Sequence, residues 1–232
     1  MPRFHAVRQR LARLKFGNSR SYWEKRYATG GNSGAGSYGR LSEFKAEFLN
    51  RLVAENDLRS VVEFGSGDGN QLSLASYPEY LGLDVSTTAI ERCRKLFAAD
   101  ESKKFSLHDA TVDPPLLQCA DLALSLDVIY HLVEDSVFDA YMRHLFDAAR
   151  RAVVIYASNE ESKTTAVHVR HREFTAWVER HRPDFQLKAH VPNRYPPTLT
   201  DGGETSFADF YVFAPQHERI RIPANLPRTQ KS

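Results

Sequence analysis

Long apolar runs are missing from this chain of 232 residues, and no stretch approaches the ~20 consecutive apolar residues a helical membrane span requires. Cysteine is scarce. The two present, Cys93 and Cys119, have no C-x-x-C spacing and no neighbouring histidine, which excludes a disulfide frame and a zinc site and reads as reduced thiols of a cytoplasmic protein. Acids are absent from the first 23 residues, where Arg3, Arg8, Arg10, Arg13, Lys15 and Arg20 give +6, and nearly absent after Gln216, where the balance is +3. Against a chain total of +2, the body between these ends therefore carries −7. A body of that sign is a poor cradle for a phosphate backbone, so a nucleic-acid substrate would depend on the ends alone.

What is present is ordinary for a soluble globular chain: 42% hydrophobic and 26% charged residues. The length suits one full α/β domain with embellished ends. We expect a basic arm and Gly/aromatic lid over 1–39, a ligand-binding domain over 40–215, and a basic tail over 216–232.

The stretch VVEFGSGDGN, 61–70, organises the rest. An apolar run ending in an acid, followed by three alternating glycines, describes a buried strand turning sharply into a helix beneath a ligand. Gly65, Gly67 and Gly69 would let the backbone pass close to that ligand. A dinucleotide fingerprint wants its third glycine one position later, with Gly or Ala where Asn70 stands. Fifteen residues past Gly69, YLGLDVS ends a second apolar run in Asp84, a carboxylate able to accept both hydroxyls of a ribose. Together these features point to a nucleoside without a phosphate grip.

E-F-G-S-G-D-G followed by L-D-V-S resembles motifs I and II of the class I S-adenosylmethionine-dependent methyltransferases, and the resemblance extends over about 41–214. It implies a three-layer Rossmann-like fold with a seven-stranded, mostly parallel sheet and an antiparallel strand 7, and S-adenosyl-L-methionine as cofactor. It implies cofactor contacts from Glu63, Gly65, Ser66, Gly67, Asp84 and Val85. Asp109 matches the acid that meets the adenine amino group in that family, with the Ala110 N–H beside it, and Asp127 follows strand 4. An aromatic-rich N-terminal cover makes Tyr22, Tyr27 and Ser33 further candidates.

Taken in order, Phe4, Val7, Leu11 and Leu14 recur at helical spacing among arginines. This arm reads as a solvated or partner-packed helix, as a membrane-surface or anionic-glycolipid contact, or as a transit peptide. Glycines interleaved with Tyr22, Trp23, Tyr27 and Tyr38 then suggest a lid that closes on the cofactor. Leu41, Phe44, Phe48, Leu49, Leu52 and Val53 share one face of a helix over 40–56. Strands are expected at 61–64, 80–83, 105–107, 122–126, 152–157, 186–191 and 207–214, and helices at 70–77 and after a Thr88/Glu91 capping box.

Methyl transfer from a sulfonium is an in-line displacement, so the protein positions the nucleophile and excludes water. A hydroxyl nucleophile also needs a base, and histidine suits this near neutral pH. His131, four residues past Asp127, is the candidate, with His168 and His171 behind it. The window holding Arg170, Arg172 and Arg194 is locally positive and reads either as a solvated face or as one in which Arg170, Arg172 or Arg194 recognises an acidic group on the acceptor. No N/D-P-P-Y/F/W segment follows strand 4, which argues against amino methylation of adenine or glutamine; no catalytic-loop cysteine argues against cytosine C5 chemistry. No third ligand joins Asp127 and Asn159, so no metal is expected. The chain is thus expected to methylate a hydroxyl of a small molecule or glycan; a protein or tRNA acceptor held by the basic ends, or a non-catalytic cofactor-binding subunit, are the alternatives. Oligomeric state is left open by the sequence.

Overall fold

The computed structural model describes residues 17–162, 164, 166–200 and 202–224. The expected arm helix around Phe4 to Leu14 and the tail from 225 onward lie outside the described residues. The described chain runs α1 (Ser19–Ala28), α2 (Gly39–Glu55), β1 (Ser60–Phe64), β2 (Glu79–Asp84), α3 (Thr87–Leu96), β3 (Lys103–Leu107), β4 (Ala120–Leu126), α4 (Asp135–Ala148), β5 (Ala149–Ala157), α5 (Phe174–His181), β6 (Phe185–Val191) and β7 (Asp209–Pro215).

The strands form one seven-stranded sheet in the order β3-β2-β1-β4-β5-β7-β6. Strands β1 to β5 pair in parallel, and β7 runs antiparallel between β5 and β6. Side-chain alternation sends successive residues of the central strands to opposite faces. Val61, Leu122, Leu124, Val154 and Tyr156 pack with Phe44, Phe48 and Leu52 of α2 and Ile90 of α3. Val62, Ala123, Val153 and Ile155 pack with Met142, Leu145 and Phe146 of α4 and Phe174 of α5. Three layers result, as expected. Because the strand order reverses between β1 and β4, the chain leaves these two strands in opposite directions and opens a crevice at their carboxyl ends.

Three local expectations differ from the structure. The 70–77 helix is only a 3-10 turn, Leu72–Leu74, because the Ser73 hydroxyl bonds back to the Asn70 carbonyl (2.6 Å), the Ser76 N–H goes to Asn50 (2.8 Å), and Pro78 pushes Tyr77 out of the helical region. The cap of α3 is Ser86, whose hydroxyl accepts from the Ala89 N–H at 3.1 Å. Thr88 instead donates to Glu24 of α1 at 2.6 Å. At the other end, the boundary at 215 does not close the packed body. Ile220 and Ile222 pack on the core, and Asn56 holds Arg221 through both its amide groups.

Candidate active site

A cavity of about 370 Å³ opens at the carboxyl ends of β1, β2 and β4, beneath α1 and the loop after it. Of the residues expected at the site, Tyr27, Ser33, Glu63, Gly65, Ser66, Gly67, Asp84, Val85, Asp109, Ala110, Asp127 and His131 line it. Tyr22, His168 and His171 do not.

At the turn after β1, Gly65 and Gly67 have φ of 83° and 60°, a region costly for any side chain. A Cβ on Gly65 would run into the Val128 methyls, and one on Gly67 into the Ser33 hydroxyl. Gly69 packs against Cys93 of α3 and Phe97 just past its end, at 3.2 and 3.0 Å from the place of a Cβ. All three glycines have the positive φ that the sequence pattern requires, and protein groups take the places their side chains would fill, so glycine here brings the β1 turn, the loop after α1 and α3 together.

Asp84 ends β2 and is buried. One oxygen accepts from the Gly67 N–H at 3.0 Å and the other from the Ser86 N–H at 2.9 Å. Burial, only partly offset by these bonds, pushes its carboxyl up to about 6. No cation meets it. Glu63, buried on β1, accepts from the Tyr80 hydroxyl at 2.7 Å, and burial lifts its carboxyl to about 7. Ser66 and Gln71 line this cavity, and their buried Oγ and Oε1 have no hydrogen-bond partner among the described residues. Orphaned polar groups in an otherwise satisfied wall are the mark of a surface built to meet a polar ligand.

Asp127, at the tip of β4, is held differently. The buried Lys45 ammonium of α2 sits 2.6 Å from Oδ2, and the Tyr130 hydroxyl donates to Oδ1 at 2.9 Å. Its φ of 60° is a left-handed, strained conformation for a residue with a side chain. Lys45 was not foreseen. Its signal was there, since it falls on the buried stripe of α2 with Leu41, Phe48 and Leu52, where a cation demands a partner.

α1 is tied down over the cavity by side-chain contacts to three neighbouring segments. Glu24 takes the Ser86 and Thr88 hydroxyls at 2.7 and 2.6 Å, Arg20 meets Asp109 at 3.1 Å, and Glu134 receives the Ser19 N–H and hydroxyl at 3.0 and 2.5 Å at the positive end of α1. Asp68 fixes the following loop through the Ser33 N–H (2.8 Å) and the Tyr38 hydroxyl (2.9 Å). Trp23 and Tyr27, one helical turn apart, face the cavity, and Tyr27 bonds Ser33 at 3.0 Å. Trp23 was missed as a site residue although this spacing marked it. Burial works to raise the Asp109 carboxyl, but hydrogen bonds from Thr111 and Arg20 prevail and hold it below the usual range.

His131 closes a 3-10 turn after β4 and lines the cavity. Its Nδ1 lies 2.9 Å from the His168 carbonyl, which can only accept, so Nδ1 carries the hydrogen and Nε2 the lone pair. Burial, aided by nearby positive charge, lowers its pKa to about 4. His171 bonds Ser158 at 2.6 Å, away from the cavity. The three arginines expected to grip an acidic acceptor are committed elsewhere. Arg170 and Arg172 converge on Asp135 at 2.8 and 3.1 Å, and Arg194 meets Glu47 at 2.8 Å. Asn159 is bound to Thr175 at 2.9 Å. No helix among the described residues is long and apolar enough to cross a membrane.

No protein-family model matches the chain, and no curated protein sequence matches it. Solved structures do. An N-methyltransferase, NodS from Bradyrhizobium japonicum WM9 in complex with S-adenosyl-L-homocysteine, superposes with a TM-score of 0.65 at 14% identity over 86% of this chain and 100% of its own. A S-adenosylmethionine-dependent methyltransferase from Clostridium acetobutylicum gives 0.56 at 10% identity over 75% and 91%. The small RNA methyltransferase HEN1 gives 0.57 at 18% identity over 81% of this chain and 27% of its own. At these identities the likeness fixes the fold, which is the Rossmann-like methyltransferase fold.

Proposed function

From that fold we propose that the chain is an S-adenosylmethionine-dependent methyltransferase that methylates a hydroxyl group of a small-molecule or glycan acceptor. The observation that carries the proposal is the cavity wall, where an uncompensated buried carboxylate, Asp84, stands with two orphaned polar atoms, Ser66 Oγ and Gln71 Oε1. Such a wall fits the donor's polar groups. Asp84 has lone pairs left for ribose hydroxyls, Gln71 Oε1 and Glu63 suit an ammonium, and Asp109 with Ala110 flanks the base end. Bound there, the donor would supply an activated methyl group for in-line displacement.

The chain's own residues do the rest. Trp23 and Tyr27 cover the cavity and exclude water, which would otherwise compete as the nucleophile. His131, neutral across physiological pH, accepts the acceptor hydroxyl's proton at Nε2 as the new C–O bond forms and the carbon–sulfur bond breaks. A base of such low pKa binds the proton weakly and hands it on to solvent, so we assign it a modest role beside positioning. With Arg170, Arg172 and Arg194 committed to the protein, a neutral acceptor is preferred to an acidic one.

Calorimetric titration tests the premise. Binding of both S-adenosylmethionine and S-adenosylhomocysteine in the micromolar range is expected, and failure of both to bind overturns the proposal. Labelled methyl from the donor should then appear in the small-molecule fraction of a cell extract. Label in protein or RNA alone would transfer the activity to a macromolecular acceptor.

A further inference from the structure

Beside the cavity, three rings stand in a column that joins the lid to His131. Tyr22 of α1 stacks on His168 with centroids 4.6 Å apart and planes 12° from parallel. His168 lies in the connection after β5, and its ring lies over His131 at 5.6 Å and 13°. Neither Tyr22 nor His168 lines the cavity, so neither can touch a bound molecule as the structure stands.

We propose that Tyr22 and His168 are positioning residues for His131, and that the proton-accepting orientation of His131 is completed only while α1 is seated. The inference rests on reading His131 as the base. The Val128 carbonyl accepts the His131 N–H at 2.7 Å and the Tyr130 ring lies beside it at 4.6 Å, both independent of α1; four further contacts bear on the proposal. The His168 carbonyl takes the Nδ1–H, the His168 ring covers one face, the Trp23 edge meets the ring at 4.9 Å and 74°, and the Ser19 hydroxyl bonds the His131 carbonyl at 2.9 Å. Ser19 and Trp23 belong to α1 directly, and the His168 ring reaches α1 through Tyr22. Without α1, the ring loses its edge contact, its carbonyl tie and the clamp on its stacking partner. The Nδ1–H is then held by the His168 carbonyl alone, on a connection whose ring is no longer clamped, and the preference for that tautomer weakens.

Charge acts in the same direction. Arg26, on α1, faces both histidines and disfavours an imidazolium at either; Asp127, at the end of β4, favours one at His131 but is itself neutralised by Lys45; Tyr130, whose ring lies 4.6 Å from His131, is held to Asp127 as a neutral phenol. Removing α1 removes Arg26 and admits water, so His131 should titrate closer to an ordinary histidine. The latches that seat α1 fall on Ser86, Thr88 and Asp109, the segments beside Asp84 and Ala110. Filling the nucleoside end therefore reinforces a helix that is already seated in the free protein.

Side-chain nitrogen NMR of the full-length protein tests this. In the wild type, with and without S-adenosylhomocysteine, His131 should show the hydrogen on Nδ1. Tyr22→Ala and His168→Ala should each raise the other tautomer to about a quarter of the population or more and move the His131 midpoint up by about half a pH unit or more. Tyr22→Phe, which keeps the stack, should match the wild type. Unchanged tautomer and midpoint in both alanine variants overturn the proposal. The same readout in the free protein separates the two levels: loss of S-adenosylhomocysteine binding in the wild type would refute the proposed function, whereas the ring's response to Tyr22→Ala decides the positioning role by itself.

Discussion

Asp84 and Asp127 stand on either side of β1, one closing β2 and the other following β4, and both line the same cavity. They are nevertheless spent differently. Asp84 accepts two backbone N–H groups and pairs with no cation among the described residues; burial raises its carboxyl to about 6, and its remaining lone pairs are left for a ligand. Asp127 also accepts one donor on each oxygen, but one of them is the Lys45 ammonium and the other the Tyr130 hydroxyl, so its charge is met from within, in a left-handed backbone conformation. Placement at the carboxyl edge of a parallel sheet selects both residues as candidates. Only the partners on the neighbouring elements decide which of them is left to bind and which holds the wall together.

The largest effect that would break this contrast is on stability. The Lys45 side chain is 1% exposed and that of Asp127 12%, so Lys45→Met should strand a buried carboxylate and cost about 3–5 kcal/mol in chemical denaturation. Adding Asp127→Leu to Lys45→Met should recover most of that loss, because two apolar groups replace a desolvated pair. A Lys45→Met loss below about 1 kcal/mol would mean that Asp127 has another way to satisfy its charge, and the two aspartates would then be alike.

Binding sharpens the same contrast from the other side. In Asp84→Asn the amide can accept from only one of the two N–H groups at 67 and 86, and its NH₂ must face the other. Together with the loss of charge this should weaken S-adenosylhomocysteine binding by about 30- to 300-fold in calorimetry. Asp127→Asn should weaken it by less than about 5-fold. Equal losses at the two positions would show that Asp127 also reaches the ligand.

The fold was legible because its signals are local and periodic. The stripe Leu41, Phe44, Phe48, Leu52 marked α2, and the face-alternating apolar runs marked the strands, each within a few residues of its observed bounds. The spatial order of the strands was not, since pairing of β7 between β5 and β6 is set by contacts far apart in sequence. At the site, Asp84 could be read from the run that precedes it. Lys45 and Glu134 could not be placed, because their roles depend on Asp127 and on the N-terminus of α1, each more than 80 residues away by the separations of 82 and 115. The failed 70–77 helix shows the reverse limit: apolar spacing was right, but serine hydroxyls and Pro78 offered the backbone better partners.

The smallest effect is a fraction of a proton. Glu63 and Asp84 have pKa values raised by burial to about 7 and about 6, against 4.5 and 3.8 in the unfolded chain. Their favourable contribution to the free protein is therefore full below about pH 4 and is lost as pH rises through 6 to 7, where the folded state must ionise acids it has desolvated. A cationic donor reverses the preference, since an ammonium beside Glu63 favours the carboxylate and pulls its pKa down. Binding of S-adenosylmethionine at pH 6.5 should then release about half a proton, falling toward zero at pH 8.5 where both acids are already ionised. His131 adds nothing in this window, because with a pKa of about 4 it is neutral before and after. Calorimetry in two buffers of different ionisation enthalpy reads the release directly, and Glu63→Gln should remove the larger part of it. Proton uptake, or a release unchanged by Glu63→Gln, would place the donor's ammonium away from β1 and leave Asp84 as the only acid of the pair that the ligand meets.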